Sequence, residues 1–126
     1  MEKQSNRILL LEDDEFISRS FSVALTDAGF EVFEADSCIE GLEHLNVEKP
    51  NLVLLDLLMP GKDGYYFLEN IKANPKFSEV PVVVLSNLGQ QGDIEKAMRM
   101  GAKAYLIKSD HSLKEIIENV KSFLSV

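Results

Sequence analysis

Positive charge is scarce in this 126-residue chain: 13 lysines and arginines stand against 21 aspartates and glutamates. The formal net charge is −8 and the sequence pI is near 4.7. That deficit argues against nucleic acid as a direct partner, because phosphate contacts need clustered Lys and Arg. It argues equally against an anionic membrane surface. Cysteine occurs once, at Cys38, so no internal disulfide can form, which suits a reducing compartment. No apolar run approaches the length that spans a bilayer. The first residues, Met1 to Arg7, are polar and lack the apolar core of a signal peptide, so a cytoplasmic location is the expectation. Linkers, repeats and low-complexity segments are missing too. The length fits one domain over residues 1–126 and leaves no space for a separate DNA-binding or catalytic output domain. A composition of 45% hydrophobic and 27% charged residues is that of an ordinary soluble globule.

Four short apolar runs are present, and each ends in a residue that can do chemistry. Ile8-Leu9-Leu10-Leu11 leads into Glu12, Asp13 and Asp14, and Leu52-Val53-Leu54-Leu55 into Asp56. Val82-Val83-Val84-Leu85 leads into Ser86, and Ala104-Tyr105-Leu106-Ile107 into Lys108. Unbroken runs of this length read as strands buried on both faces, the mark of a parallel sheet. A fifth segment, Glu31-Val32-Phe33-Glu34-Ala35, alternates charged and apolar residues and reads as a half-exposed edge strand.

Helical periods fill the intervals. Ile17, Phe21, Ala24, Leu25 and Ala28 form one stripe, closed by Gly29. Cys38, Gly41, Leu42 and Leu45 share a second face behind the capping-box pair Ser37 and Glu40. Phe67, Leu68 and Ile71 make a third helix, which should begin near an N-cap at Asp63 and stop before Pro75. Gly89 and Gly92 read as a loop before a fourth helix carrying Ile94, Ala97 and Met98, ended near Gly101. A second capping box, Ser112 with Glu115, opens a last helix along Leu113, Ile116, Ile117, Val120 and Leu124. Five strand–helix units in succession, joined by right-handed crossovers, give a parallel sheet covered by helices on both faces. The strand order 2-1-3-4-5 puts the alternating strand at an edge and the first and third strands side by side.

In such sheets ligands bind outside the carboxyl ends of the strands. The four polar endings should therefore converge. Glu12, Asp13 and Asp56 would crowd one small volume, and like charges that close raise one another's pKa unless a cation sits between them. Mg²⁺ suits carboxylate oxygens and needs few protein ligands. A carboxylate can attack phosphorus, and phosphoryl transfer mostly needs positioning and charge neutralisation. Asp56, alone at the end of a central strand, is the best nucleophile. Lys108 and Ser86 would supply an ammonium and a hydroxyl, and the loop from Leu57 to Gly61 can turn a backbone carbonyl toward the metal.

These segments, with Met59-Pro60-Gly61-Lys62-Asp63-Gly64 and Gly101-Ala102-Lys103, resemble the receiver domain of bacterial two-component response regulators over essentially the whole chain. The resemblance implies a (βα)5 flavodoxin-like three-layer sandwich and a phosphoacceptor switch rather than a multiple-turnover enzyme. It implies Asp56 as phosphoacceptor, Asp13 as direct Mg²⁺ ligand, Glu12 as the acid acting through water, and Leu58 as donor of a backbone carbonyl. Lys108 is similar to the lysine that pairs with the phosphoryl group. Ser86 and Tyr105 are similar to a switch pair whose rearrangement alters the surface of the fourth helix, fifth strand and fifth helix. A histidine kinase or phosphotransfer protein would donate the phosphoryl group, and a downstream protein would read the result. Two positions depart from the pattern. Ser109 stands where the family commonly has a proline after a cis bond. That geometry costs about 2.5–4 kcal/mol before any other residue, so a trans bond is expected. Asn87 stands where a small residue is frequent, and would narrow access to Asp56.

Blander roles compete. Asp13, Asp14 and Glu15 could simply cap the first helix and favour its dipole, Asp14 above all. Ser86, Lys108 and Tyr105, taken singly, read as a loop hydroxyl, a solvated charge and a packed ring. His44 and His111 read as exposed, Cys38 as core, and Tyr65 and Tyr66 carry no assigned role. Two other functions share this chemistry. One is a phosphate-independent interaction module. The other is a Mg²⁺-dependent aspartyl-phosphate phosphatase, which Glu12-Asp13-Asp14-Glu15-Phe16 disfavours for want of the Thr such enzymes resemble one another in.

Overall fold

The computed structural model describes residues 6–59, 64–87 and 89–124. The strands are β1 (Arg7–Leu11), β2 (Glu31–Ala35), β3 (Leu52–Leu55), β4 (Val82–Ser86) and β5 (Ala104–Ile107). The helices are α1 (Glu15–Asp27), α2 (Cys38–Glu48), α3 (Gly64–Ala73), α4 (Gln91–Arg99) and α5 (Leu113–Leu124). All strand pairs are parallel, in the order β2-β1-β3-β4-β5. The flavodoxin-like arrangement expected from the alternating periods is the one found, with β2 at an edge. The expected loop at Pro60 to Asp63, and the cap at Asp63, lie outside the described residues.

Alternation along the central strands sorts their side chains into two cores. Leu9, Leu11, Val53, Leu55, Val82 and Val84 pack on one side with Cys38, Leu45, Phe67, Leu68 and Ile71. Ile8, Leu10, Leu52, Leu54, Val83 and Leu85 pack on the other with Phe21, Leu25, Ile116, Ile117 and Val120. The first layer is thus covered by α2, α3 and α4, the second by α1 and α5.

Capping follows the sequence closely. Asp14 accepts from the Ile17 N–H at 3.0 Å and opens α1. Ser112 and Glu115 make both bonds of a capping box. At α2, Ser37 accepts from the Glu40 N–H, but the Glu40 carboxylate reaches back to the Asp36 N–H, one residue earlier than the motif requires. Gly92 differs from expectation: it lies inside α4, which begins at Gln91 behind an N-cap, Gln90, that makes no side-chain bond. α4 buries only Ala97. Its outer turn is tied to α3 instead, where the Tyr65 hydroxyl donates to the Asp93 carbonyl at 3.2 Å and the Lys96 ammonium lies 4.1 Å from the Tyr65 ring centroid. Tyr65 and Tyr66 are accordingly part-buried. His44 and His111 are also half-buried rather than exposed, beside Glu48 and Glu115.

Gly64 fixes the approach of α3 to the end of β3. A Cβ there would lie 2.6 Å from both the Asp56 carbonyl oxygen and Leu57 Cα. These are backbone atoms and cannot rotate away. Gly64→Ala is therefore expected to lower stability by about 1–3 kcal/mol, the usual cost of overpacking, read as a fall in the urea midpoint. An unchanged midpoint would contradict this close approach.

Candidate functional site

The carboxyl ends of β1, β3, β4 and β5 meet at one edge of the sheet. The register sets Leu11 against Leu55, so Glu12 and Asp56 follow adjacent strand ends. The chain is held there by backbone bonds: the Asp56 N–H donates to the Leu11 carbonyl at 3.1 Å and the Glu12 N–H to the Ala35 carbonyl at 3.0 Å. On the other side, Ser86 pairs with Ile107, so the residue before Asn87 faces the residue before Lys108.

Burial separates the acids. Glu12 is 4% exposed and Asp56 6%, whereas Asp13 is exposed. One oxygen from each lies within 4.8 Å of the others, and Glu12, Asp13 and Asp56 are together the group capable of holding a metal ion among the described residues. The Lys108 ammonium reaches into this cluster. It donates to Glu12 Oε1 through a short contact and to Asp56 Oδ2 at 3.1 Å. The second oxygens are engaged by backbone: Glu12 Oε2 accepts from the Asp14 N–H at 3.2 Å, and Asp56 Oδ1 from the Leu58 N–H at 3.0 Å. Leu58 therefore meets Asp56 through its N–H, with its side chain out in solvent. Ser86 is wholly buried at the end of β4, and its hydroxyl hydrogen-bonds the Tyr105 phenol.

The ionisation of these groups follows from that packing. Burial raises Glu12 above the ordinary carboxylate value of 4.5, and Asp56 adds to this, against the opposing pull of Lys108. Loss of water is the largest of these causes, ahead of the like charge of Asp56. Burial works against the Lys108 ammonium, but its bonds to Glu12 and the charge of Asp56 outweigh it and raise its pKa. Tyr105 is raised by burial first, then by Asp93 and Asp56, with the Ser86 hydrogen bond opposing.

Both directions make stability fall as pH rises in metal-free protein, in two separate windows. Folded Glu12 binds its proton more tightly than unfolded Glu12, so its contribution falls as pH rises from 4.5 through the raised folded value. The Lys108 contribution is whole below the ordinary lysine value of 10.5 and is lost as pH rises through the folded value. Parent protein should therefore lose more stability in alkali than Lys108→Met, measured by urea midpoints across that range. Parallel curves would show that the ammonium gains nothing from its carboxylates.

Glu12, Asp13, Asp56, Leu58, Ser86 and Lys108 are brought to this edge, whereas Tyr105 lies within β5 opposite Val84, two residues before the strand's end. The direct bond between Lys108 and Glu12 was not foreseen, nor was the burial of Ser18, whose hydroxyl donates to Glu34 Oε1 at 2.8 Å. Spacing along the chain carries no signal for either, since both join separate strand–helix units. Glu12 and Asp13, but not Asp56, line a pocket of about 380 Å³ together with Glu34, Asp36 and Glu40 among others. A larger groove of about 930 Å³ lies away from them, along Phe16, Arg19, Val23 and Leu113. It is shallow and apolar and carries none of this chemistry.

Comparison with known proteins agrees with the geometry. The family described as response regulator receiver domain matches residues 8–121. The chain is 31% identical over 120 residues to the phosphate regulon transcriptional regulatory protein PhoB of Escherichia coli (strain K12), covering 95% of this chain and 52% of that protein. It spans about half the length of the curated relatives it matches. Among solved structures it is similar to a CheY-like response regulator receiver domain protein from Methanospirillum hungatei JF-1. There the TM-score is 0.89 at 26% identity, covering 97% of this chain and 95% of that one. It is similar also to the Mn(2+)-bound form of response regulator Rcp1, with a TM-score of 0.82 at 31% identity and 94% of each chain covered. No helix among the described residues is long and apolar enough to cross a membrane. With a receiver-type sheet, the acids at its carboxyl edge and a family match across nearly all of its length, the chain belongs to the response regulator receiver domain family.

Proposed function

We propose that this chain is a phosphoacceptor switch, a single receiver domain over residues 1–126 in which Asp56 takes a phosphoryl group from a histidine kinase or phosphotransfer protein. The observation that carries the reading is the pair of buried carboxylates, Glu12 and Asp56, bridged by one half-buried ammonium at the sheet edge. Two buried anions with one cation leave a net negative centre, and Asp13 adds a third oxygen donor. That donor set fits a hard divalent cation. Glu12, Asp13, Asp56 and the Leu58 carbonyl would hold Mg²⁺, which when bound neutralises charge on the transferring phosphoryl oxygens. The Mn(2+)-bound relative supports the fit.

Asp56 attacks through Oδ2, the oxygen now bonded to Lys108, while Oδ1 stays fixed by the Leu58 N–H. The new bond joins that oxygen to phosphorus as the bond from phosphorus to the donor breaks, and the donor leaves with its electron pair. Lys108 then meets the charge of the bound phosphoryl group. The Ser86 hydroxyl turns to it, and Tyr105, already bonded to Ser86, follows. The consequence would be read on the face of α4, β5 and α5 by a downstream protein in the cytoplasm. The domain assists its own phosphorylation without turning over a substrate.

Intact-mass measurement with acetyl phosphate is the test. One phosphoryl group should be gained with Mg²⁺ and none with a chelator. A gain that ignores the chelator, or none with Mg²⁺, would overturn the reading, the latter in favour of a phosphate-independent interaction module.

A further inference from the structure

Asn87 and Ser109 are not neighbours in sequence, yet the Ser109 N–H donates to Asn87 Oδ1 at 3.0 Å. Each sits one residue beyond a group of the site, Ser86 and Lys108. The register of β4 and β5 brings the two together, since Ser86 lies opposite Ile107.

Lys108 opens a short 3-10 turn, Lys108–Asp110. The first N–H groups of any helical turn have no partner within it, and such turns are weakly held. The residue at the cap position, Ile107, supplies no side-chain bond. Asn87 provides the missing acceptor from the loop after β4. Ser109 and Asp110 are exposed, so no burial of their own fixes the turn. The loop after β4 is seated close by, because a Cβ on Gly89 would come within 3.3 Å of the Ile107 side chain. The turn in its turn is the base from which the long Lys108 stem crosses to Glu12 and Asp56. A lysine stem has four rotatable carbons and holds a position only when its base is fixed.

We propose that Asn87 is a positioning residue: by capping the Ser109 N–H it clamps the β4 and β5 loops together and holds the Lys108 ammonium between Glu12 and Asp56. The proposal rests on the reading of Asp56 as phosphoacceptor. The clamp makes Asn87 a contributor to phosphoryl uptake, whereas a side chain that merely narrowed the entrance would oppose it. The two roles predict opposite signs.

Asn87→Ala removes the acceptor, and Ser109→Pro removes the donor because proline has no N–H. Ser109→Ala keeps the backbone donor. Uptake from acetyl phosphate with Mg²⁺ should slow about threefold to tenfold in Asn87→Ala and in Ser109→Pro, the factor one such hydrogen bond is worth. Ser109→Ala should match the parent. The double variant Asn87→Ala/Ser109→Pro should be no slower than the slower single, since one bond can be lost only once. In parallel, the Lys108 ammonium hydrogens, followed by nitrogen-15 NMR, should exchange with water faster in both single variants at unchanged melting temperature. A purely structural loss would not move that signal.

Faster or unchanged uptake in Asn87→Ala, multiplicative slowing in the double variant, or unaltered ammonium exchange would each overturn the clamp. A parent that takes up no phosphoryl group would overturn the acceptor reading instead, with the ammonium exchange still deciding whether the clamp exists.

Discussion

Asp56→Asn should take up no phosphoryl group under conditions that fully modify the parent, while remaining folded. Asparagine has the same shape, and its side-chain oxygen can still accept from the Leu58 N–H, as Asp56 Oδ1 does at 3.0 Å. The amide nitrogen that replaces Oδ2 lends its electron pair to the carbonyl and is no nucleophile. Three carboxylates within 4.8 Å become two, so divalent-cation affinity should fall as well, because hard cations bind through charge. Intact mass gives the first answer and metal titration the second. Undiminished uptake would move the acceptor to another residue, with Asp13 the first to test.

Lys108→Ala should separate binding from chemistry. Its ammonium is the one cation bonded to Glu12 and Asp56 among the described residues. In the resting protein it occupies oxygens that a metal would use, so its removal should tighten Mg²⁺ binding. On the proposed reading it would also be the donor that meets the charge developing on the phosphoryl group. Losing one such preorganised donor costs about 100-fold to 1,000-fold in rate. Slower uptake with tighter metal binding is thus the expected signature. Slower uptake with weaker metal binding would mean that the lysine organises the acids rather than competing for them. The Glu12 carboxyl left behind, already raised by burial, can shed its charge by taking a proton, which limits the penalty that a broken buried pair usually brings.

The strands were legible because they are buried on both faces: Leu52 to Leu55 and Val82 to Leu85 have no polar positions to blur their limits. The edge strand β2 was legible for the opposite reason, since Glu31 and Glu34 interrupt its apolar residues. Helix starts were readable where a side chain does the capping, as at Asp14, Ser37 and Ser112. The start of α4 was not, because Gln90 makes no cap bond and Gly92 looks like a loop residue from its type alone. At the site, residue identity and strand order were enough to gather Glu12, Asp13, Asp56, Ser86 and Lys108 at one edge. Which carboxylates the Lys108 ammonium would choose was beyond reach. That depends on how a flexible stem swings from a turn whose own anchor, Asn87, lies 22 positions away. The largest cause of the Glu12 shift is hidden in the same way: sequence shows that charges are close, and only packing shows that water is gone.

The manner in which α4 is seated has a further consequence. It reaches the sheet through one buried methyl group, that of Ala97, and is otherwise moored at its rim by Tyr65. α3, by contrast, sinks Phe67, Leu68 and Ile71 into the first core. Elements with few buried contacts open and shift for the least free energy. On the proposed switch reading, a redirected hydroxyl at Ser86 would shift α4 more readily than the layer formed by α1 and α5. In such a switch the deeply packed elements would preserve the geometry of the acids, and the thinly seated α4 would carry the change to whatever touches its surface.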